Sequence, residues 1–259
     1  MYDLTGRVAL VTGAGQGVGA GIARALAAQG AAVAVNDLEA ARADATVAAL
    51  VATGAAAVAA PFDVTDRDAV RAGVAAAEAA LRGPVDILVN NAGVPVGMTM
   101  SPFRTFGPAD WSRYVDLNLY GSAHCMQAVL DGMCGRGWGR IVQISSGAGH
   151  TGTRLGISIY GASKGGVEGL VRHVAQEVAR DGVTVNTLAL GLMSPQPDGP
   201  DGPDGPDELD PALTSLARQV PVGRLGRPDD VGAAVVYLVS DEAAWMTGQT
   251  IDLNGGATT

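Results

Sequence analysis

Residues 7–36 carry the feature that most restricts this chain. An apolar run leads into Thr12-Gly13-Ala14-Gly15-Gln16-Gly17-Val18-Gly19, then the Ala-rich Ala20-Gly21-Ile22-Ala23-Arg24, then a second apolar run. A strand that empties through glycines into a helix returning to a second strand is a βαβ unit, with parallel strands and a right-handed crossover. Glycines there let the backbone approach a pyrophosphate, and the first helical turn offers free N–H groups and the positive dipole end. Two registers fit: Gly15, Gly17 and Ala20 as G-x-G-x-x-A, and Gly13, Gly17 and Gly19 as G-x-x-x-G-x-G.

Asp37 closes the second run, 20 residues after Gly17. At that place a carboxylate accepts hydrogen bonds from an adenosine ribose and repels a 2′-phosphate. With Gln16 rather than a basic side chain in the loop, this predicts NAD over NADP. Asp37 could also N-cap the following helix, and the two roles are compatible.

The same alternation continues along the chain. Strands are predicted over 7–12, 31–36, 55–60, 85–90, 140–145, 183–189 and 249–253. Helices are predicted over 18–29, 39–53, 66–81, 108–134, 159–180, 211–219 and 228–239. Several strands are apolar at nearly every position, as parallel strands covered on both faces must be. The expectation is an α/β fold: a Rossmann-type doubly wound sheet of seven parallel strands flanked by helices on both faces, in a single domain over 1–259. With 47% apolar but only 4% aromatic residues, its core is made largely of Ala, Val and Leu.

The charge excludes some functions. A net −9 provides no basic stripe for nucleic acid. Six of the 26 acids, Asp198, Asp201, Asp204, Asp207, Glu208 and Asp210, fall in one segment, and setting them aside leaves −3. From Ser194 to Pro211 run six of the 13 prolines and a threefold Asp-Gly-Pro repeat, which can neither pair as a strand nor continue a helix. This segment is expected to be a surface insertion or, leaving the carboxyl end of the sixth strand, a mobile substrate lid over 192–211. No apolar run reaches a membrane span and no leader pattern opens the chain, so no membrane partner is expected. Cys125 and Cys134 match neither a metal-ligand nor a redox spacing, which leaves no metal site and suits reduced packing residues in the cytoplasm.

Tyr160 and Lys164 stand four apart, on one face of a helix. An ammonium beside a phenol favours the phenolate and makes the pair a proton-transfer device, although an amphipathic turn with a snorkelling lysine has the same spacing.

Together these features resemble the short-chain dehydrogenase/reductase family, over nearly the whole chain. The motifs that carry the likeness are the glycine loop, Asp63-Val64, Asn90-Asn91-Ala92-Gly93, Asn118, Ser145-Ser146 and Tyr160-x-x-x-Lys164. They continue in Gly223-Arg224-Leu225-Gly226-Arg227-Pro228, Thr247-Gly248-Gln249 and Asn254-Gly255-Gly256. The resemblance implies a catalytic set: Tyr160 as general acid or base, Lys164 lowering its pKa and bonding the nicotinamide ribose, Ser146 orienting the carbonyl, and Asn118 holding a water that links Lys164 to solvent. It implies an NAD site of Gly13, Gly15, Gln16, Gly17, Val18, Gly19, Asp37, Asp63, Val64, Asn90, Asn91, Ala92, Gly93, Tyr160, Lys164, Gly191 and Met193.

Three departures stand out. Ser146 precedes Tyr160 by 14 residues, which implies a lengthened loop. Leu190-Gly191 replaces the usual Pro-Gly, and Pro195 the usual threonine, leaving Ser194 and the backbone of Leu192 or Met193 for the nicotinamide amide. The acidic repeat replaces an ordinary lid.

The implied reaction interconverts a secondary alcohol and a ketone with NAD. The substrate pocket is expected from 94–100, 147–157 and the lid, with Met98, Met100, Thr151, His150 and Arg154. That lining suits an apolar small molecule; Arg154 holds a carboxylate or is a solvated loop charge, and His150 is structural. A 3-oxoacyl thioester reductase is the alternative, and a cofactor-sensing protein without chemistry is a third reading. The resemblance also implies a homotetramer, with Val167, Leu170, Val171 and Val174 on helices that face a second subunit.

Overall fold

All seven apolar runs form strands, five of them trimmed at their ends and those at Gly139–Ser146 and Val183–Leu190 extended, to the residues whose neighbours complete the ladder. In the computed structural model, which describes residues 1–194 and 211–257 (side chains of 211–213 excepted), β1 (Val8–Val11) is followed by α1 (Gly17–Ala28), β2 (Ala32–Val35) and α2 (Ala40–Ala52). Then come β3 (Ala57–Ala59), α3 (Arg67–Leu81), β4 (Ile87–Asn90), α4 (Trp111–Val115), α5 (Gly121–Arg136), β5 (Gly139–Ser146) and α6 (Ser158–Val178). The chain continues through β6 (Val183–Leu190), α7 (Pro211–Ala217), α8 (Pro228–Val239) and β7 (Thr250–Leu253).

The sheet is parallel throughout, in the order β3-β2-β1-β4-β5-β6-β7. The order reverses between β1 and β4, and this is where a crevice opens beyond the carboxyl ends of the strands. Alternation along each strand sends Ala9, Val11, Val33 and Val35 to one face, against Ile22 and Leu26 of α1 and Val231 and Val235 of α8. Val8, Leu10, Ala34 and Leu88 go to the other, against Val74 of α3, Val129 and Met133 of α5, and Val171 and Ala175 of α6. Cys125 belongs to that second face as a free thiol, its pKa pushed up to about 12 by burial.

The largest departure from prediction lies in one helix. The stretch expected as continuous over 108–134 is a 3-10 turn at Pro108–Asp110, α4, a π-helical turn at Asp116–Tyr120, and α5. The π turn inserts one residue into the helical register and places Asn118 inward, wholly buried. The helix expected to 180 ends at Val178, and a 3-10 turn at Ala179–Asp181 closes on Gly182, whose φ of 74° reverses the chain into β6. Of the lid expected over 192–211, residues 195–210 lie outside the described residues; its start is pinned, with Leu192 O accepting the Gly226 N–H at 2.9 Å and Ser194 N–H donating to Gly226 O at 2.8 Å. Among the described residues no helix is long and apolar enough to cross a membrane.

Candidate active site

A cleft of about 760 Å³ lies over the switch point, walled by the glycine loop on one side and by Ser146, Tyr160 and Lys164 on the other. Gly13 and Gly17 turn the loop at φ 61° and 53°, a left-handed backbone that suits glycine. Gln16 caps α1 without a side-chain bond, which leaves the first-turn N–H groups facing the cleft. A Cβ on Gly19 would collide with the Gly13 carbonyl oxygen, so the loop closes only with glycine there.

Asn91, together with Thr12 and Asn36, to which the sequence assigned no role, holds this loop. Thr12 Oγ1 accepts the N–H groups of Asn91 and Ala92 at 3.0 and 3.1 Å. Asn91 Nδ2 donates back to the carbonyls of Thr12 and Gly13 at 2.8 and 3.0 Å. Buried Asn36 accepts from Gly13 N–H at 3.4 Å and donates to Ala60 O and Phe62 O. A polar residue ending an apolar strand was the available signal.

The expected cofactor residues divide. Gly13, Gln16, Gly17, Val18, Gly19, Asp37, Asp63, Val64, Asn91, Ala92, Gly93, Gly191 and Met193 line the cleft. Gly15 does not; its N–H donates to Asp37 Oδ2 at 3.1 Å, so it supports the wall from behind. Asn90 does not line the cleft either. It is 2% exposed, donates to Ser122 O at 3.3 Å and points away from the cleft, because the pleat turns consecutive residues to opposite faces. Asp37 is not the cap of α2 either: Glu39 holds that position, and Asp37 Oδ1 accepts its N–H at 3.0 Å. Asp63 takes both bonds of Thr65 at 2.8 Å. Leu38, Arg42 and Arg113 also line the cleft and were not anticipated.

On the other wall, Tyr160 and Ser146 line the cleft together with Lys164. Ser146 ends β5 and accepts the Ala148 N–H at 3.3 Å in the 3-10 turn Gly147–Gly149 that follows. Its neighbour Ser145 faces the interior and donates to Glu168 at 2.7 Å, which leaves Ser146 as the serine beside Tyr160. Lys164 Nζ donates to Ile144 O at 3.0 Å and lies 5.7 Å from the Tyr160 ring centroid. A Cβ on Gly93 would run into both Lys164 Nζ and Asn118 Oδ1, so these two atoms face one small space that glycine keeps open. Asn118 Nδ2 donates to Tyr114 O and Ser163 Oγ, each at 3.1 Å, while its buried Oδ1 has no partner within the protein. An unpaired buried acceptor costs about 1–3 kcal/mol, so that space favours a polar occupant such as a bridging water.

Burial dominates the electrostatics. It raises the Tyr160 phenol above its usual range, with the nearby Ser146 hydroxyl acting against it. It lowers Lys164 to about 8, with the Glu168 charge acting against it. The one-turn spacing predicts a phenol lowered by its lysine; in the structure the desolvation of both groups is the larger effect.

Of the expected pocket residues, Val94, Pro95 and Val96 line the cleft, His150 and Thr151 line a neighbouring hollow, and Arg154 is an exposed loop charge.

Comparison with known proteins gives consistent relatives. Residues 13–258 match the family described as enoyl-(acyl carrier protein) reductase. An acetoacetyl-CoA reductase of Shinella zoogloeoides is 39% identical over 254 residues, covering 96% of this chain and 98% of its own. A gluconate 5-dehydrogenase of Gluconobacter oxydans is 36% identical, covering 100% and 97%. Among solved structures, a gluconate 5-dehydrogenase from Burkholderia cenocepacia in complex with NADP and tartrate superposes with a TM-score of 0.86 at 35% identity, over 99% of this chain and 97% of that one.

Proposed function

Because this chain belongs to the short-chain dehydrogenase/reductase family of oxidoreductases, we propose that it interconverts an apolar secondary alcohol and its ketone with NAD, as a single cofactor-binding domain over 1–259. The observation that carries this reading is that Ser146, Tyr160 and Lys164 open on the same cleft as the glycine loop, with Lys164 Nζ 5.7 Å from the Tyr160 ring centroid.

The lining fits a dinucleotide: a glycine cradle, uncapped helix N–H groups, and a carboxylate at the far end of the wall. When bound, NAD supplies the hydride acceptor. Tyr160 takes the proton of the substrate hydroxyl, and Ser146 holds the substrate oxygen as it becomes a carbonyl. Lys164, as an ammonium, offsets the burial that disfavours the phenolate. Asn118 Oδ1 and Lys164 Nζ share the space where a water passes the proton outward.

Asp37 supports NAD, since a 2′-phosphate at this edge would meet its charge; Arg42 beside it is the group a phosphate would engage. The rim supports an apolar substrate: Val94, Val96, Met100, Leu155 and Leu192 are all exposed. Trp245, wholly exposed next to β7, adds an apolar face that supports burial in a homotetramer.

A second reading, reduction of a 3-oxoacyl thioester, is favoured by the relatives named acetoacetyl-CoA reductase. Against docking of an acidic carrier protein stands Arg136, already committed to Val85 O at 2.8 Å and Asp86 at 3.2 Å. That favours a CoA thioester over a carrier-bound one. The test is a panel of cyclohexanol, 1-phenylethanol, gluconate and 3-hydroxybutyryl-CoA, each with NAD and NADP, followed by absorbance of the reduced cofactor. We expect an apolar alcohol with NAD to be fastest, and Tyr160→Phe to lower kcat about 10³-fold. Fastest turnover of gluconate or the thioester would replace the substrate reading, a preference for NADP would overturn the cofactor reading, and an unaffected Tyr160→Phe would overturn the chemistry.

A further inference from the structure

Glu168 sits on α6 one turn beyond Lys164, where an acid in a helix normally faces water. It is 3% exposed. Its Oε1 accepts the Ser145 hydroxyl at 2.7 Å and lies 3.4 Å from His150 Nδ1, while His150 Nε2 lies 2.9 Å from Asp252 Oδ1. Polar contacts therefore run from β7 through the turn after Ser146 to α6 and the end of β5. Lys164 makes a parallel tie, so the consecutive β5 residues Ile144 and Ser145 are both fastened to α6.

Backbone packing reinforces the join. A Cβ on Gly161 would stand 2.6 Å from Ala148 O, one on Gly165 2.6 Å from Gly149 O, and one on Gly149 2.6 Å from Glu168 Oε1. The turn Gly147–Gly149 thus lies on bare helix backbone, with the Glu168 carboxylate fitted beneath it. That turn follows Ser146, and the helix carries Tyr160 and Lys164. Stability does not by itself account for an acid here, since a well-packed apolar residue commonly serves as well as a buried charge.

We propose that Glu168 is a positioning residue: through Ser145, and with His150 as its brace to Asp252, it sets the place of the Ser146 hydroxyl relative to Tyr160. This rests on the reading of Ser146 and Tyr160 given above. A misplacement of about 1 Å at such a group can cost about 10²-fold in rate, which makes the brace visible in kinetics.

The experiment compares Glu168→Leu, Glu168→Gln and His150→Gln in the full chain, using the fastest alcohol of the panel with NAD, NADH affinity by fluorescence, and thermal melting. Glu168→Leu is expected to keep NADH affinity within about twofold while kcat falls about 10- to 100-fold. Glu168→Gln, whose amide oxygen still accepts from Ser145, is expected to recover to within about fivefold, and His150→Gln to lose about threefold. If Glu168→Leu does not fold, the His150→Gln loss of kcat at unchanged NADH affinity decides. Wild-type kcat and KM in the variants, or a kcat loss matched by an equal loss of NADH affinity, would overturn the proposal. Tyr160→Phe, run alongside, separates the cases: if it is inactive while the Glu168 variants are silent, only the positioning role fails, and if it stays active the catalytic reading beneath it fails.

Discussion

The glycine-loop wall of the cleft and the rim that faces the substrate treat their side chains in opposite ways. On the wall, Thr12, Asn36 and Asn91 bond backbone groups of the loop and its flanks, and each bond closes within the chain. On the rim, Val94, Val96 and Met100 are 69%, 85% and 69% exposed, apolar groups that no described residue covers. A self-satisfied wall is specified by the protein alone and presents one shape to one ligand class. An apolar rim is completed by whatever it meets, so under the proposed function its chemistry constrains the substrate only to the apolar class.

The sharpest way to break this contrast is to crowd the wall. Gly19→Ala puts a methyl group into the Gly13 carbonyl, and the loop must move for it to fit. We expect NADH affinity to fall about 30- to 100-fold, about 2–3 kcal/mol, with little loss of folding. Gly107→Ala, where a Cβ would meet nothing, serves as the matched control on the rim side. Equal affinities for the two variants by fluorescence titration would mean the wall is not preformed.

The same contrast explains what the sequence revealed. Strand positions and the glycine loop follow from apolar runs and from glycine chemistry, both local, and all seven strands were legible from them. The fate of paired residues was not. Asn90 and Asn91 are chemically identical, and only the phase of the β4 pleat sends one into the core and the other to the loop. Ser145 and Ser146 divide the same way, one donating to buried Glu168 and the other accepting the Ala148 N–H. The π turn at Asp116–Tyr120 hides inside an otherwise continuous helical pattern, because one inserted residue barely alters its apolar spacing. Glu168 was missed for a related reason: a helical acid has the composition of a solvent face, and only the opposing Gly149 and Ser145 make room for it inside.

Lys164 lies below both walls, and its stability effect should be intermediate. Its pKa falls from 10.5 to about 8 on folding, so between pH 8 and 10.5 the unfolded chain binds more protons and stability rises with pH across that window as far as Lys164 is concerned. Below about pH 8 the folded protein carries the full cost of the buried ammonium. Lys164→Met removes that cost and leaves Ile144 O unpaired, for a net gain of about 1–2 kcal/mol at pH 7. Melting should rise by about 2–6 °C at pH 7, the gain should shrink toward pH 10, and turnover should vanish. A melting point that falls at pH 7 would show that the ammonium's contacts outweigh its desolvation.

The smallest effect belongs to the rim. Val96→Ser and Met100→Ser each remove apolar surface that a bound apolar alcohol would cover only in part. At about 25 cal/mol per Å², covering about 20–30 Å² of a side chain contributes about 0.5–0.8 kcal/mol, or two- to fourfold in KM. Both variants should leave NADH affinity and melting unchanged, because neither side chain is packed against the core. The size of the loss should grow with the apolar area of the alcohol, larger for 1-phenylethanol than for cyclohexanol. A KM that rises equally for gluconate, which has little apolar surface to lose, would mean that the rim positions a loop rather than contacting substrate, and the contrast between the two walls would then lie in mobility rather than in chemistry.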